Sequence, residues 1–147
     1  MEDYDPLKLE NQLCFPLYAC SKEIVRRYKP FLDELDLTYT QYIAMLVFWE
    51  KGTMNVKELG EKLYLDSGTL TPLLKKLQAK GYISRERSKD DERYLVVKIT
   101  QAGMALKDKA LNIPQKMNGC FNLDIQEMVT LKQILVKMLA QFSVEES

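Results

Sequence analysis

The sequence predicts a mainly α fold with a small β-hairpin wing, organised as a winged helix-turn-helix. Three observations carry that prediction. The stretch 64–81 contains a helix: Leu70, Leu73, Leu74 and Leu77 recur at three- and four-residue steps, while Thr69, Thr71, Lys75 and Lys76 fall outside the stripe. Two strand-like runs follow, residues 82–87 and 94–99, joined by the charged turn Ser-Lys-Asp-Asp-Glu-Arg. A shorter helical run, residues 56–63, comes just before the first helix with only a turn around Leu65 between them. A helix of that size fits a major groove, and a basic hairpin beside it can reach the backbone or the next minor groove.

Taken in order, residues 7–35 are expected to form a long helix, with Leu13, Leu17, Cys20, Ile24 and Tyr28 on one stripe and Lys22, Glu23, Arg26 and Arg27 outside it. Pro16 interrupts the pattern, because an interior proline removes one bond and clashes one turn back. The helix therefore begins near Phe15 or kinks there, and either way Cys14 lies beside free or loosened N–H groups. Residues 37–50 read as a second helix, with Thr38 and Gln41 as a capping box and Ile43, Met45, Leu46, Val47 and Trp49 making it apolar enough for nearly complete burial. Lys51-Gly52-Thr53 is a turn, and Asn55 with Glu58 reads as a second capping box for residues 56–63. Asp66 or Ser67 can cap the next helix, and Pro72 is expected in its first turn, where a missing N–H costs nothing. Gly81 is its stop. Thr100 can open a helix running toward Asn112, which Pro114 breaks or bends. Asp124 with Glu127 caps a last helix carrying Ile125, Met128, Leu131, Ile134, Leu135, Met138 and Leu139 on one wide face.

The 147 residues suit one domain, residues 1–147, in which a winged-helix lobe at about 37–99 sits between helices at about 7–35 and 101–142. Apolar stripes at both ends suggest that these outer helices form a dimer interface; the other reading is that each covers its own core. No run approaches the roughly 20 apolar residues of a membrane span. The acidic start Met-Glu-Asp-Tyr-Asp-Pro is no secretion signal, so a cytoplasmic protein is expected.

Charge balances at 21 basic and 21 acidic residues, but unevenly. Residues 65–99 hold eight Lys/Arg against five Asp/Glu, whereas residues 1–64 hold eight against eleven. The positive excess sits on the helix and hairpin, as phosphate contact requires, although a solvated charged hairpin shows the same pattern. Ser67, Thr69 and Thr71 are short donors and acceptors suited to base edges or phosphates. Lys75 and Lys76 suit phosphates, and Arg85 and Arg87 the DNA backbone. Arg93 at the wing tip suits a minor groove, with Asp91 holding its guanidinium. Asp66 and Asp91 are equally suited to capping and turn formation.

Three cysteines, Cys14, Cys20 and Cys120, and no histidine argue against a disulfide framework and against zinc, and they leave no Ser-His or Cys-His hydrolase. No metal and no cofactor is expected. Cys14 and Cys20, six residues apart, would point about 120° apart on a helix and could not bond without unwinding it. By residue type alone, a lone cysteine such as Cys14 is most often inert core.

Leu59-Gly60 through Leu63, Leu73-Leu74-Lys75-Lys76-Leu77, Lys80-Gly81-Tyr82-Ile83, Arg85, Asp90-Asp91-Glu92-Arg93, and Ile99-Thr100 with Gly103 together resemble the MarR family of dimeric winged-helix regulators. Leu9-Glu10-Asn11-Gln12-Leu13-Cys14-Phe15 and Asp66-Ser67-Gly68-Thr69-Leu70-Thr71-Pro72 are similar to its organic-hydroperoxide-sensing, OhrR-type branch. Pro16 and Tyr94 depart from that pattern. The resemblance implies a repressor, not an enzyme, whose partners are double-stranded palindromic operator DNA, a second copy of the chain, and organic hydroperoxide as oxidant. It implies that Cys14 is the reactive thiol and that Tyr28 and Tyr39, with Tyr18 close by, bond its sulfur across the dimer. It implies that oxidation releases DNA, with either Cys120 or a small external thiol resolving the sulfenate. Such a thiol reacts as thiolate, which N-terminal N–H groups and phenol donors would favour. Three other readings remain: a MarR-type repressor released by a small aromatic ligand held by Tyr18, Tyr28, Tyr39, Phe31 and Trp49, a thiol peroxidase, and a protein-interaction module.

Overall fold

The computed structural model describes residues 3–142; Met1 and Glu2 of the acidic start lie outside the described residues. Seven α-helices and a three-stranded antiparallel sheet form its regular structure: α1 Cys14–Asp33, α2 Tyr39–Lys51, β1 Thr53–Asn55, α3 Val56–Leu63, α4 Ser67–Ala79, β2 Ile83–Arg87, β3 Leu95–Ile99, α5 Gln101–Ala110, α6 Ile113–Asn118 and α7 Ile125–Leu139. The winged helix-turn-helix expected from the sequence is present.

The first expected helix is shorter than its hydrophobic stripe. Residues 7–13 are not α-helical: the helix starts at Cys14, which puts Pro16 in its first turn, where the missing N–H costs nothing. Ahead of it lie two single 3-10 turns, Asp5–Leu7 and Leu9–Asn11. Their carbonyls are held by side chains: the Asn11 amide donates to the Asp5 carbonyl, and Gln12 to those of Pro6 and Lys8, at 2.7–2.8 Å.

Helix α2 is the centre of the core. Its capping box is complete: Thr38 Oγ1 accepts from the Gln41 N–H, and Gln41 Oε1 from the Thr38 N–H. Tyr42, Ala44, Met45, Val47, Phe48 and Trp49 are buried, but Leu46 is exposed, so burial is less complete than the composition suggests. The Trp49 indole N–H donates to the Gly103 carbonyl at 2.9 Å, which fastens α5 to α2. A second close approach requires glycine here: a Cβ at Gly103 would stand 2.2 Å from the Tyr82 carbonyl oxygen.

Strand β1 was not expected. It joins the hairpin as an edge, giving the order β1-β3-β2, with Met54 opposite Val97 and Arg85 opposite Val97 on the other side. Asn55 caps α3 by accepting from the Glu58 N–H, but only half of the expected box exists, because the Glu58 carboxylate instead accepts from the Asn55 amide. Helix α6 was also unexpected. Pro114 does end α5, yet it sits in the first turn of this further short helix, where its missing N–H costs little.

Candidate functional site

Helix α4 is set by local chemistry at both ends. Asp66 is the N-cap, its carboxylate accepting from the Thr69 N–H at 2.8 Å. Pro72 is the sixth residue of the helix, in the second turn and not the first as the sequence suggested. The bond it omits would end on the Gly68 carbonyl; both residues are exposed, so water can satisfy that oxygen. At the far end Gly81 adopts φ +84°, its N–H donates to the Gln78 carbonyl, and the Tyr82 N–H donates to the Leu77 carbonyl. This is the paired closure that a left-handed glycine makes possible. Leu70, Leu73, Leu74 and Leu77 are buried, and Ser67, Thr69, Thr71, Lys75 and Lys76 face outward. Lys75 and Lys76 form no ion pair among the described residues.

The hairpin tip is preformed. Ser88 Oγ accepts from the Asp90 and Asp91 N–H groups, and Ser88 and Tyr94 close the loop through a 2.8 Å backbone bond. Tyr94 thus lies just outside β3, with the Arg93 guanidinium 6.0 Å from its ring. Arg93 grips both Asp91 oxygens through Nε and Nη2, the shortest contact being 2.7 Å, and this holds the Asp91 carboxyl below its ordinary pKa. Arg87 donates to the Glu92 carbonyl at 3.3 Å. Arg85 is half-buried, and its Nε donates to Gln78 Oε1 at 2.6 Å, a link between hairpin and helix that the sequence did not reveal.

Cys14 is the first residue of α1 and is exposed. No side chain caps this helix end, so its first-turn N–H groups have no such partner. Tyr18 lies one turn along and is exposed, with the Lys22 ammonium 5.3 Å from its ring. Tyr28 and Tyr39 are elsewhere. Fourteen residues of helix put Tyr28 about 21 Å from Cys14 along the axis. There Tyr28, Tyr39 and Tyr42 form an aromatic cluster, with ring centroids 4.9–6.3 Å apart. Burial, reinforced by the neighbouring phenols, pushes Tyr28 up to about 12, and burial raises Tyr39 and Tyr42 as well. All three therefore stay protonated donors at neutral pH.

Cys120 is half-buried just beyond α6, its thiol donating to the Lys116 carbonyl at 3.4 Å. Helix α6 packs on α1, where the Lys116 ammonium stands 5.4 Å from the Phe31 ring. Cys120 and the tyrosines therefore share one end of α1, and Cys14 occupies the other. The residues suggested for an aromatic-ligand pocket do not line one cavity within the protomer. Tyr18 is about 15 Å along α1 from Tyr28, and Trp49 is buried with its N–H committed to Gly103. Among the described residues no cluster of three or more His, Cys, Asp or Glu side chains could hold a metal, and no helix is long and apolar enough to cross a membrane.

A family model for the transcriptional regulator SarA/Rot matches residues 26–110, from the second half of α1 to the end of α5. An organic hydroperoxide resistance transcriptional regulator from Bacillus subtilis is 48% identical over 136 residues, covering 92% of each chain. Among solved structures, reduced AbfR bound to DNA superposes with TM-score 0.78 at 29% identity, over 92% of this chain and 93% of that one. Disulfide-formed AbfR gives 0.63 at 31%, over 92% and 95%. A MarR variant from E. coli complexed with operator DNA gives 0.78 at 25%, over 94% and 99%. With this architecture, the chain belongs to the SarA/Rot family of transcriptional regulators, as a winged-helix protein of the MarR type.

Proposed function

We propose that this regulator is a cytoplasmic, homodimeric repressor that holds palindromic operator DNA while reduced and lets go when organic hydroperoxide oxidises Cys14. The observation that carries the reading is the separation of the sensor parts. An exposed thiol stands at one end of α1, and a cluster of protonated phenols stands at the other. Only a second chain laid against the first can bring them together. The faces for doing so are uncovered: Leu13, Phe15 and Tyr18 on one side, and Ile125, Val129, Ile134 and Val136 of α7 on the other, are exposed. The similarity to a regulator of organic hydroperoxide resistance supplies the oxidant class. The closer likeness to reduced, DNA-bound AbfR than to its disulfide form supports a DNA-competent conformation here.

The chemistry balances. The Cys14 thiolate attacks one peroxide oxygen, the O–O bond breaks, and sulfur loses two electrons to become a sulfenate while an alcohol leaves. Phenol O–H groups from the second chain donate to the sulfur anion before and after. A Cys120 thiol of that same chain, at the phenol end of its α1, then attacks the sulfenic sulfur; an S–S bond forms and water leaves. Within one protomer this bond is out of reach, because about 25 Å of helix separates the two ends. On the DNA side, Ser67, Thr69 and Thr71 read the groove, Lys75, Lys76, Arg85 and Arg87 hold phosphates, Arg93 enters the minor groove, and Asp66 and Asp91 hold the geometry of helix and wing.

The test is fluorescence anisotropy on the operator upstream of the chain's own gene. Cumene hydroperoxide should weaken wild-type binding at least tenfold and leave Cys14→Ser unchanged, with Cys120→Ser giving no covalent dimer on a non-reducing gel. Equal release of Cys14→Ser would refute the sensor.

A further inference from the structure

We propose that Lys80 is a positioning residue that ties the end of the recognition helix α4 to the sensor tyrosines, so that its contacts carry the oxidation signal to DNA. This rests on the redox reading above and names the route inside the protomer.

Lys80 is the C-cap of α4, yet its side chain turns inward. Its ammonium donates to the Asp36 backbone carbonyl at 2.5 Å and to Gln41 Oε1 at 3.0 Å, with the Asp36 carboxylate 3.6 Å away. Asp36 lies in the turn between α1 and α2, held in the left-handed region at φ +54°. Next to Lys80 in the chain, beyond Gly81, the Tyr82 hydroxyl donates to the Leu35 carbonyl of that same turn at 3.2 Å. Two side chains flanking the helix stop therefore clamp two adjacent residues of that turn, Leu35 and Asp36.

Gln41 makes this more than a local brace. Among the described residues it is the buried polar side chain, 3% exposed. Its one carbonyl oxygen accepts both from Lys80 and from the Thr38 N–H, so the cap of α2 and the end of α4 share an atom. A buried polar group with shared partners has few alternative arrangements, because each lost bond leaves an unpaired atom in low dielectric. Tyr39 stands between Thr38 and Gln41, with its ring on Tyr28 at 4.9 Å. Oxygen added to a sulfur lying against Tyr28 and Tyr39 displaces Tyr39, and the displacement moves the Thr38–Gln41 cap. Lys80 then pulls on α4, which transmits motion over its 13 residues as a rigid rod.

Wild type and Lys80→Met, which keeps the aliphatic stem, are compared by operator anisotropy before and after cumene hydroperoxide. Cys14 sulfenate is quantified by dimedone labelling in both, and Lys80→Gln is read in parallel. The inference expects reduced Kd within about threefold of wild type, an unchanged salt slope, normal Cys14 oxidation, and an oxidation-induced loss of affinity at least tenfold smaller than in wild type. Full release from both variants overturns it. So does weaker reduced binding with a salt slope lower by about 1, which would make Lys80 a phosphate contact. Failure of wild type itself to release DNA would instead remove the sensor reading.

Discussion

At the scale of single residues, five helix starts are fixed by side chains that reach an N–H three positions along the chain. Thr38, Asn55, Asp66, Thr100 and Asp124 all cap helices as read, because a cap needs only its own residue and an N–H three positions on. Cys14 was also legible, as a thiol at a proline-defined helix start, and it proves exposed, not part of the core. The bonds of Arg85 to Gln78 and of Lys80 to Gln41 were not legible, since they join residues that only the folded chain makes neighbours. Gln78 yields a prediction at this scale. By taking Arg85 Nε, it fixes the guanidinium plane and leaves the terminal nitrogens for a phosphate. Gln78→Ala should weaken operator binding by about 1 kcal/mol, about fivefold in Kd, with the melting temperature nearly unchanged. Anisotropy titration of the reduced protein checks it.

At the scale of elements, periodicity located the long helices and missed the short pieces. Three residues of β1 are too few to show alternation, and α6 has only six, opened by a proline that reads as a breaker. Pro72 misled in the opposite way: its place in the second turn is tolerated because the orphaned carbonyl faces water. The junction of α2, the hairpin and α5 is tighter than any pattern suggests. Gly103→Ala would force the Tyr82 backbone and α5 apart and stretch the Trp49 bond. It should destabilise the fold by about 2 kcal/mol or more, read as a lower urea midpoint at unchanged slope.

At the scale of the whole molecule, α7 is the decisive element. It has a complete capping box and good helical register, yet no residue in it is buried in the protomer. Near its end, the Leu139 carbonyl accepts from the Tyr64 hydroxyl at 3.3 Å, beside the turn that leads into α4. An apolar helix gains most of its stability from what it packs against. In this chain the partner for α7 is the proposed second copy, so folding of the outer helices and pairing of chains become one equilibrium. The midpoint of thermal unfolding should then rise with protein concentration, whereas a self-sufficient monomer would melt at one temperature across a hundredfold dilution. If the chains pair as proposed, the same feature sets a floor on abundance: at too few copies per cell the chains would part, their greasy flanks would lie open to proteases, and the proposed switch would vanish before any oxidant arrived.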